Sequence, residues 1–248
     1  MPRVALFIPC FVDQLSPQVG IDMVQVLRRI GCETYFPSEQ TCCGQPAFNS
    51  GFWDEARPVA ERFVRVFENA EAVVCPSGSC TTMVRNFYRD LLADSPLREV
   101  AAALAGRVFE FSEYLVKIAG VEDVGAEFPH RVTLHESCHA LRELHIQSEP
   151  RKLLSRVRGL ELVELPHSEE CCGFGGAFAV KFGMISAAMG DAKAANVDST
   201  QAEYVTAVDP SCLLHLEGIL RHGKHRARTI HLASILACES SREKGAAL

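Results

Sequence analysis

The chain has 248 residues and a net charge of −6, with 25 basic and 31 acidic side chains mixed along its length. That length suits one large domain or two of about 120 residues, and the charge argues against a nucleic-acid surface, which needs a concentrated basic face. No apolar run approaches the ~18 uncharged residues of a membrane-spanning helix, and eleven cysteines, an odd count in a chain this long, argue against a disulfide scaffold.

In chain order, Val4 to Ile8 is an apolar run of strand length, read as a first strand rather than an export signal. Val19 to Ile30 places Val19, Met23, Val26, Leu27 and Ile30 on one helical face, and Gly31 supplies a stop. Thr34 to Phe36 is β-prone. Phe52 to Phe67 has helical period, with Pro58 expected to start or kink it. Ala72 to Val74 reads as a strand, Thr81 to Leu92 as a helix, and Val108-Phe109 with Glu113 to Ile118 closes the unit. Gly120 to Pro129, where Gly, Pro and acidic residues gather, marks a boundary.

The order then repeats. Val132 to His135, Leu160 to Glu164 and Tyr204 to Val208 read as strands. Pro150 to Val157, Phe178 to Ala195 and Leu213 to Leu220 read as helices, and Thr229-Ile230 with Leu232 to Ala237 closes the second unit. Strands alternating with helices predict an α/β fold. We expect two tandem similar units, residues 1–125 and 126–248, each a small parallel sheet flanked by helices.

The cysteines carry the same repeat. The first half reads Cys10, Cys42-Cys43-Gly44 and Ser77-Gly78-Ser79-Cys80. The second reads Cys138, Cys171-Cys172-Gly173 and Asp209-Pro210-Ser211-Cys212. The intervening gaps are 31 and 36 residues in one half and 32 and 39 in the other. In a parallel sheet the loops that follow the strands share one edge, where ligands bind, so Cys10, Cys42, Cys43 and Cys80 are expected to converge, as are Cys138, Cys171, Cys172 and Cys212. Cys32 and Cys238 stand alone in apolar segments and read as small buried hydrophobes.

Adjacent cysteines rarely bridge one another, because the ring is strained; two neighbouring thiolates suit a multi-iron cluster. Structural zinc more often uses cysteines two to four residues apart, which these repeats lack. Gly44 and Gly173 are expected to let the backbone approach the cluster closely. Cys75 and Asp209 are additional candidate ligands; Asp209 also suits a helix N-cap. His135, His139 and His167 read as hydrogen-bonded loop histidines, with His139 the best candidate for an exception. No Gly-rich phosphate loop follows the first strand, and Ser77-Gly78-Ser79 lacks the flanking residues of a nucleophile elbow.

At these motifs the chain resembles the CCG cysteine-rich domain superfamily, which includes the cysteine-rich subunit of heterodisulfide reductase and the iron–sulfur subunit of glycolate oxidase. It is most similar to the lactate-utilisation protein A (LutA/YkgE) family. The segments Cys42-Cys43-Gly44-Gln45-Pro46-Ala47, Pro76-Ser77-Gly78-Ser79-Cys80, Ser137-Cys138-His139 and Cys171-Cys172-Gly173-Phe174-Gly175-Gly176 carry the likeness, which covers essentially the whole chain. The resemblance implies an iron–sulfur electron-transfer subunit of a cytoplasmic complex that oxidises L-lactate to pyruvate, with a ferredoxin-like iron–sulfur protein and a third small protein as partners. It implies [4Fe-4S] clusters, non-cubane in the heterodisulfide reductase relative, one or two per chain. The chain departs from the pattern where Ser77 and Asp209 replace the first cysteine of a terminal Cys-x-x-Cys. A metal-free thiol–disulfide enzyme and a zinc-stabilised scaffold are the alternatives, and whether the isolated chain turns over any substrate is open.

Overall fold

The computed structural model describes residues 2–239; the end of the expected second unit, 240–248, lies outside the described residues. Two four-stranded sheets, all parallel, form along the chain. The first contains β1 (Arg3–Leu6), β2 (Glu33–Tyr35), β3 (Ala72–Cys75) and β4 (Val108–Glu110), in spatial order β2-β1-β3-β4. The second contains β5 (Arg131–Leu134), β6 (Glu161–Val163), β7 (Tyr204–Ala207) and β8 (Arg228–His231), in order β6-β5-β7-β8. The central strands are buried, as parallel strands covered on both faces must be: Val4, Ala5, Val73, Val74, Val132, Thr133, Val205 and Thr206 are each shielded from solvent.

The six expected strands form, within two residues at each end, and the closing segments Val108-Phe109 and Thr229-Ile230 supply β4 and β8. The helices differ more. Pro58 neither starts nor ends the helix Trp53–Phe67 but sits as its sixth residue, where the missing N–H removes only one bond of the early turns. The expected helix Thr81 to Leu92 begins at Gly78 and contains a π-helical turn over Met83–Phe87. The expected helix Phe178 to Ala195 is two, Ala177–Lys181 and Gly183–Ser199, broken at Phe182. The short helices Cys10–Leu15 and Cys138–Glu143 leave no mark in the sequence, because one or two turns are too few for a periodic signal.

The halves exchange contacts as the subunits of a two-fold dimer do. Helix Pro17–Arg29 of the first half packs against Leu232–Ala237 of the second. Its counterpart Ser148–Ser155 packs against the segment Phe111–Ile118 of the first. One hydrophobic cluster therefore spans both halves, joining Met23, Leu27, Tyr114 and Leu115 to Leu153, Leu154, Leu232 and Leu236. Arg29 reinforces it by donating to the carbonyls of Leu236 and Ala237, each at 2.9 Å, at the carboxyl end of the last described helix. Outer layers remain separate: Phe7, Phe63, Phe67 and Tyr88 in one half, Val197, Val205, Leu216 and Leu220 in the other.

The last strand of each half ends on a buried titratable cap. The Glu110 carboxylate accepts from the backbone of Ser112 at 2.8 Å and of Glu113 at 3.2 Å, and His231 Nδ1 accepts from the backbone of Ala233 at 3.1 Å. Burial pushes the Glu110 carboxyl up to about 8 and, against the pull of Asp209, the His231 imidazole down to about 4. The two act oppositely on stability. Protonated Glu110 favours the native state; that contribution is complete below about pH 4.5 and is lost as pH rises through about 8. Neutral His231 destabilises the native state relative to the unfolded chain as pH falls from about 6.5 to about 4. The two cancel between about pH 4.5 and 6.5, and a net loss remains from about 6.5 to 8. Glu110→Gln keeps the cap, so urea melts are expected to show the wild type losing on the order of 2 kcal/mol relative to that variant between about pH 6.5 and 8, on top of the rise that the thiols held below their ordinary range give to both proteins. Parallel curves for the two proteins would contradict this.

Candidate metal centres

In each sheet the order places a reversal between the first and third strands (β1 and β3, β5 and β7), the position at which open parallel sheets bind ligands. Register makes the edge level: Leu6 pairs with Val74 and Leu134 with Thr206. Cys10 and Cys138 open the short helices that follow β1 and β5. Cys42-Cys43 and Cys171-Cys172 lie in the loops after β2 and β6. Cys80 and Cys212 sit in the first turns of the helices Gly78–Thr82 and Pro210–His222.

Surrounding polar groups hold these loops. Gln40 accepts from the Ile8 backbone N–H at 2.7 Å and donates to the Leu6 carbonyl at 2.9 Å, fixing the turn that leads to Cys10. The buried Tyr88 hydroxyl donates to the Cys43 carbonyl at 3.0 Å. Gln45 donates to the Ser79 carbonyl at 3.2 Å, tying the second loop to the third.

The thiols of each half touch in series. Polar contacts run Cys10–Cys42–Cys43–Cys80 in the first half, with Cys10 Sγ and Cys42 Sγ 3.4 Å apart. They run Cys138–Cys171–Cys172–Cys212 in the second. All eight line a single cavity of about 250 Å³ between the halves. The two sites are thus not remote: they face a common space. Asp209 spans it. One carboxylate oxygen accepts from the Ser79 N–H at 2.7 Å and the Ser77 hydroxyl at 3.2 Å, across the junction; the other accepts from the Ser211 N–H at 3.1 Å and hydroxyl at 2.6 Å. Nearby the Gly78 N–H donates to the Val208 carbonyl at 3.2 Å. Asp209 therefore serves as the N-cap of Pro210–His222 and a tie between halves, with both oxygens occupied. Cys75 is buried in β3, does not line the cavity, and points its thiol at the Ser77 carbonyl.

Charge is unevenly placed among the thiols. Donation from Cys10 and Cys43, with the Gly44 and Cys43 N–H groups against the opposing effect of burial, pulls the Cys42 thiol down to about 3. Donation from Cys138 and Cys172, with the Gly173 N–H, pulls Cys171 down to about 2. Their neighbours Cys10, Cys43, Cys138 and Cys172 are pushed up, as proton donors to a thiolate must be. The first half thus holds one ready thiolate; the second also has Cys212, which Cys172 and, against burial, His135 bring down to about 6, and a metal entering either half would displace the protons of the others.

Gly44 and Gly173 take positive φ, 83° and 95°, which turns their N–H groups onto Cys42 Sγ at 3.4 Å and Cys171 Sγ at 3.3 Å. They serve as donors to these two sulfurs. Among the histidines, His139 Nδ1 lies 3.7 Å from the Cys138 thiol and lines the cavity. His167 is exposed and pairs with Glu170 at 3.4 Å, away from the thiols. His135, expected to be a satisfied loop residue, is buried directly after β5, with neither ring nitrogen hydrogen-bonded. It lies with Cys172 and Cys212 in a group whose ligand atoms are all within 4.8 Å of one another.

The comparisons with known proteins agree with this duplication. The family model of the CCG cysteine-rich domain matches twice, over residues 4–85 and 132–217. Relatives named Lactate utilization protein A 2 of Bacillus cereus and Lactate utilization protein A of Bacillus velezensis are 42% and 46% identical over 236 and 235 residues. These alignments cover 95% and 94% of this chain and 98% of each relative. The chain belongs to the lactate-utilisation protein A family of CCG proteins. Among solved structures, a hypothetical protein from Helicobacter pylori superposes with a TM-score of 0.56 at 12% identity, over 98% of this chain and 50% of that one, a likeness of fold alone. Among the described residues, no helix is long and apolar enough to cross a membrane.

Proposed function

We propose that this member of the lactate-utilisation protein A family is an iron–sulfur electron-transfer subunit of a complex that oxidises L-lactate to pyruvate. The observation that carries the reading is the pair of four-thiol groups, Cys10, Cys42, Cys43 and Cys80 with Cys138, Cys171, Cys172 and Cys212, facing one cavity. The donor set fits clusters: the ligands are thiols, one in each half is already anionic, and backbone N–H groups of Gly44 and Gly173 point at sulfur, as they do around an anionic centre. When bound, a [4Fe-4S] cluster in each half supplies one-electron storage; the chain's residues hold it, limit water access and set its potential. The common cavity supports electron exchange between the halves, because both centres would border it. The names of the relatives support lactate utilisation, and with it a ferredoxin-like iron–sulfur partner and a third small protein. Eleven free cysteines support a reducing, cytoplasmic setting.

The test is to purify the chain anaerobically and measure iron, acid-labile sulfide and zinc together with EPR before and after reduction. Iron with matching sulfide and a paramagnetic signal on reduction is expected. Zinc alone after attempted reconstitution would replace this reading with that of a scaffold. Closure of a Cys10–Cys42 disulfide with turnover of a disulfide substrate, in protein free of metal, would replace it with thiol–disulfide chemistry; the 3.4 Å separation of those sulfurs makes that outcome a specific one.

A further inference from the structure

The halves are not chemically equivalent, and the difference lies behind the thiols. The position after the first strand is Phe7 in one half and His135 in the other, each three residues before its cysteine. Phe7 is consumed by packing: its ring meets Phe63 edge-on at 4.8 Å and Phe67 at 5.9 Å. His135 has no such role. Its backbone N–H continues the sheet by donating to the Thr206 carbonyl at 2.8 Å, but the ring is 1% exposed and neither nitrogen has a hydrogen-bond partner. An imidazole left so gives up the water that it bonded in the unfolded chain without a replacement. The candidates for a bond are the sulfurs of Cys172 and Cys212, the second of which this imidazole helps to hold in its thiolate form, and whatever those sulfurs bind.

We propose that the second half holds a mixed thiolate–imidazole centre in which His135 bonds an iron of the cluster alongside Cys172 and Cys212, whereas the first half holds an all-thiolate centre. The inference rests on the reading that the thiols bind iron. A ring nitrogen of His135 lies within 4.8 Å of the sulfurs of both Cys172 and Cys212, so iron held by those sulfurs would be within reach of the imidazole. His135 then takes one iron position in the second half in place of one of its four thiols, whereas in the first half, with Phe7 at the matching place, all four thiols serve. A neutral imidazole there leaves the centre one negative charge lighter, which favours the reduced state and raises the potential. The second centre is thereby the better electron acceptor, and electrons crossing the shared cavity run from the first half to the second. His139, on the cavity wall beside Cys138, stays a hydrogen-bond partner of sulfur.

Pulsed EPR and hyperfine spectroscopy on the reduced, iron-loaded chain test this. The wild type is expected to show strong nitrogen coupling from a directly bonded imidazole on one of two signals, the one with the higher potential. His135→Cys, which offers a thiolate instead, should keep the iron, lose the coupling and lower that potential toward the other centre's. His135→Phe, which copies the first half, should lose the coupling as well, and Phe7 variants should leave it. An iron-loaded wild type without the coupling, or a coupling that persists in His135→Cys, would overturn the assignment of His135 and leave the cluster reading standing. A wild type that takes up neither iron nor sulfide would overturn both.

Discussion

Cys42→Ser and Cys171→Ser are each expected to remove about half of the bound iron and sulfide. The two side chains occupy the same place in their halves. Each accepts from two neighbouring thiols and from a glycine N–H, and each is the thiolate that meets an incoming metal first. Serine keeps the volume but ionises far above neutral pH and is a poor ligand for iron, so the affected half loses its starting charge. Because the halves fold on separate sheets and share a cavity rather than ligands, the other half should load normally. The EPR of the two variants should therefore differ, each retaining the signal that the other lacks. Loss of all iron from either variant would show that the centres assemble together across the cavity. Full retention in one variant would show that its half does not carry a cluster. Substitution of Cys75, buried in β3 and outside the cavity, is the matching control.

The spacing of the cysteines makes the tandem plan legible because it reports topology directly. A cysteine after each of three parallel strands arrives at one edge whatever the helices between them do. Strands are legible for a related reason: runs such as Val4 to Leu6 and Val132 to Leu134 are buried on both faces, so they are largely apolar throughout. What spacing does not carry is the relation between the halves. Nothing in Pro17–Arg29 announces that its apolar face meets Leu232–Ala237 more than 200 residues away, because any apolar face would satisfy the same pattern. Asp209 shows the limit at a single residue. Its N-cap role follows from the Asp-Pro start of a helix, but its bond to the Ser79 N–H depends on the packing of the halves. His135 departs from expectation because a histidine beside a strand end usually finds a hydrogen bond. The signal that could find it is the repeat itself: its counterpart is Phe7, so the position is interior, and an interior imidazole needs a partner.

Gly173→Ala is expected to be far more damaging than Gly44→Ala, although the two glycines are counterparts. Both hold positive φ, so an alanine at either site incurs about 1–2 kcal/mol of backbone strain. The surroundings then separate them. A Cβ on Gly44 would find its nearest neighbour, the Ala56 carbonyl oxygen, at 3.5 Å, an ordinary contact. A Cβ on Gly173 would stand 2.6 Å from the Ser186 carbonyl oxygen and 2.9 Å from Met189 Cβ, both fixed in the helix Gly183–Ser199. Neither atom is a flexible side-chain tip, so the helix or the loop must move, at an additional cost of about 1–3 kcal/mol. Moving the loop also withdraws the Gly173 N–H from Cys171 Sγ, which weakens the thiolate that the second centre depends on. Gly44→Ala should therefore lower the midpoint of urea unfolding modestly and keep both centres. Gly173→Ala should cost two- to threefold more in free energy, about 2–5 kcal/mol in all, and lose the iron of the second half. Equal effects of the two substitutions would show that the loop after β6 yields as readily as the loop after β2, and that the packing of Gly183–Ser199 does not set the position of Cys171.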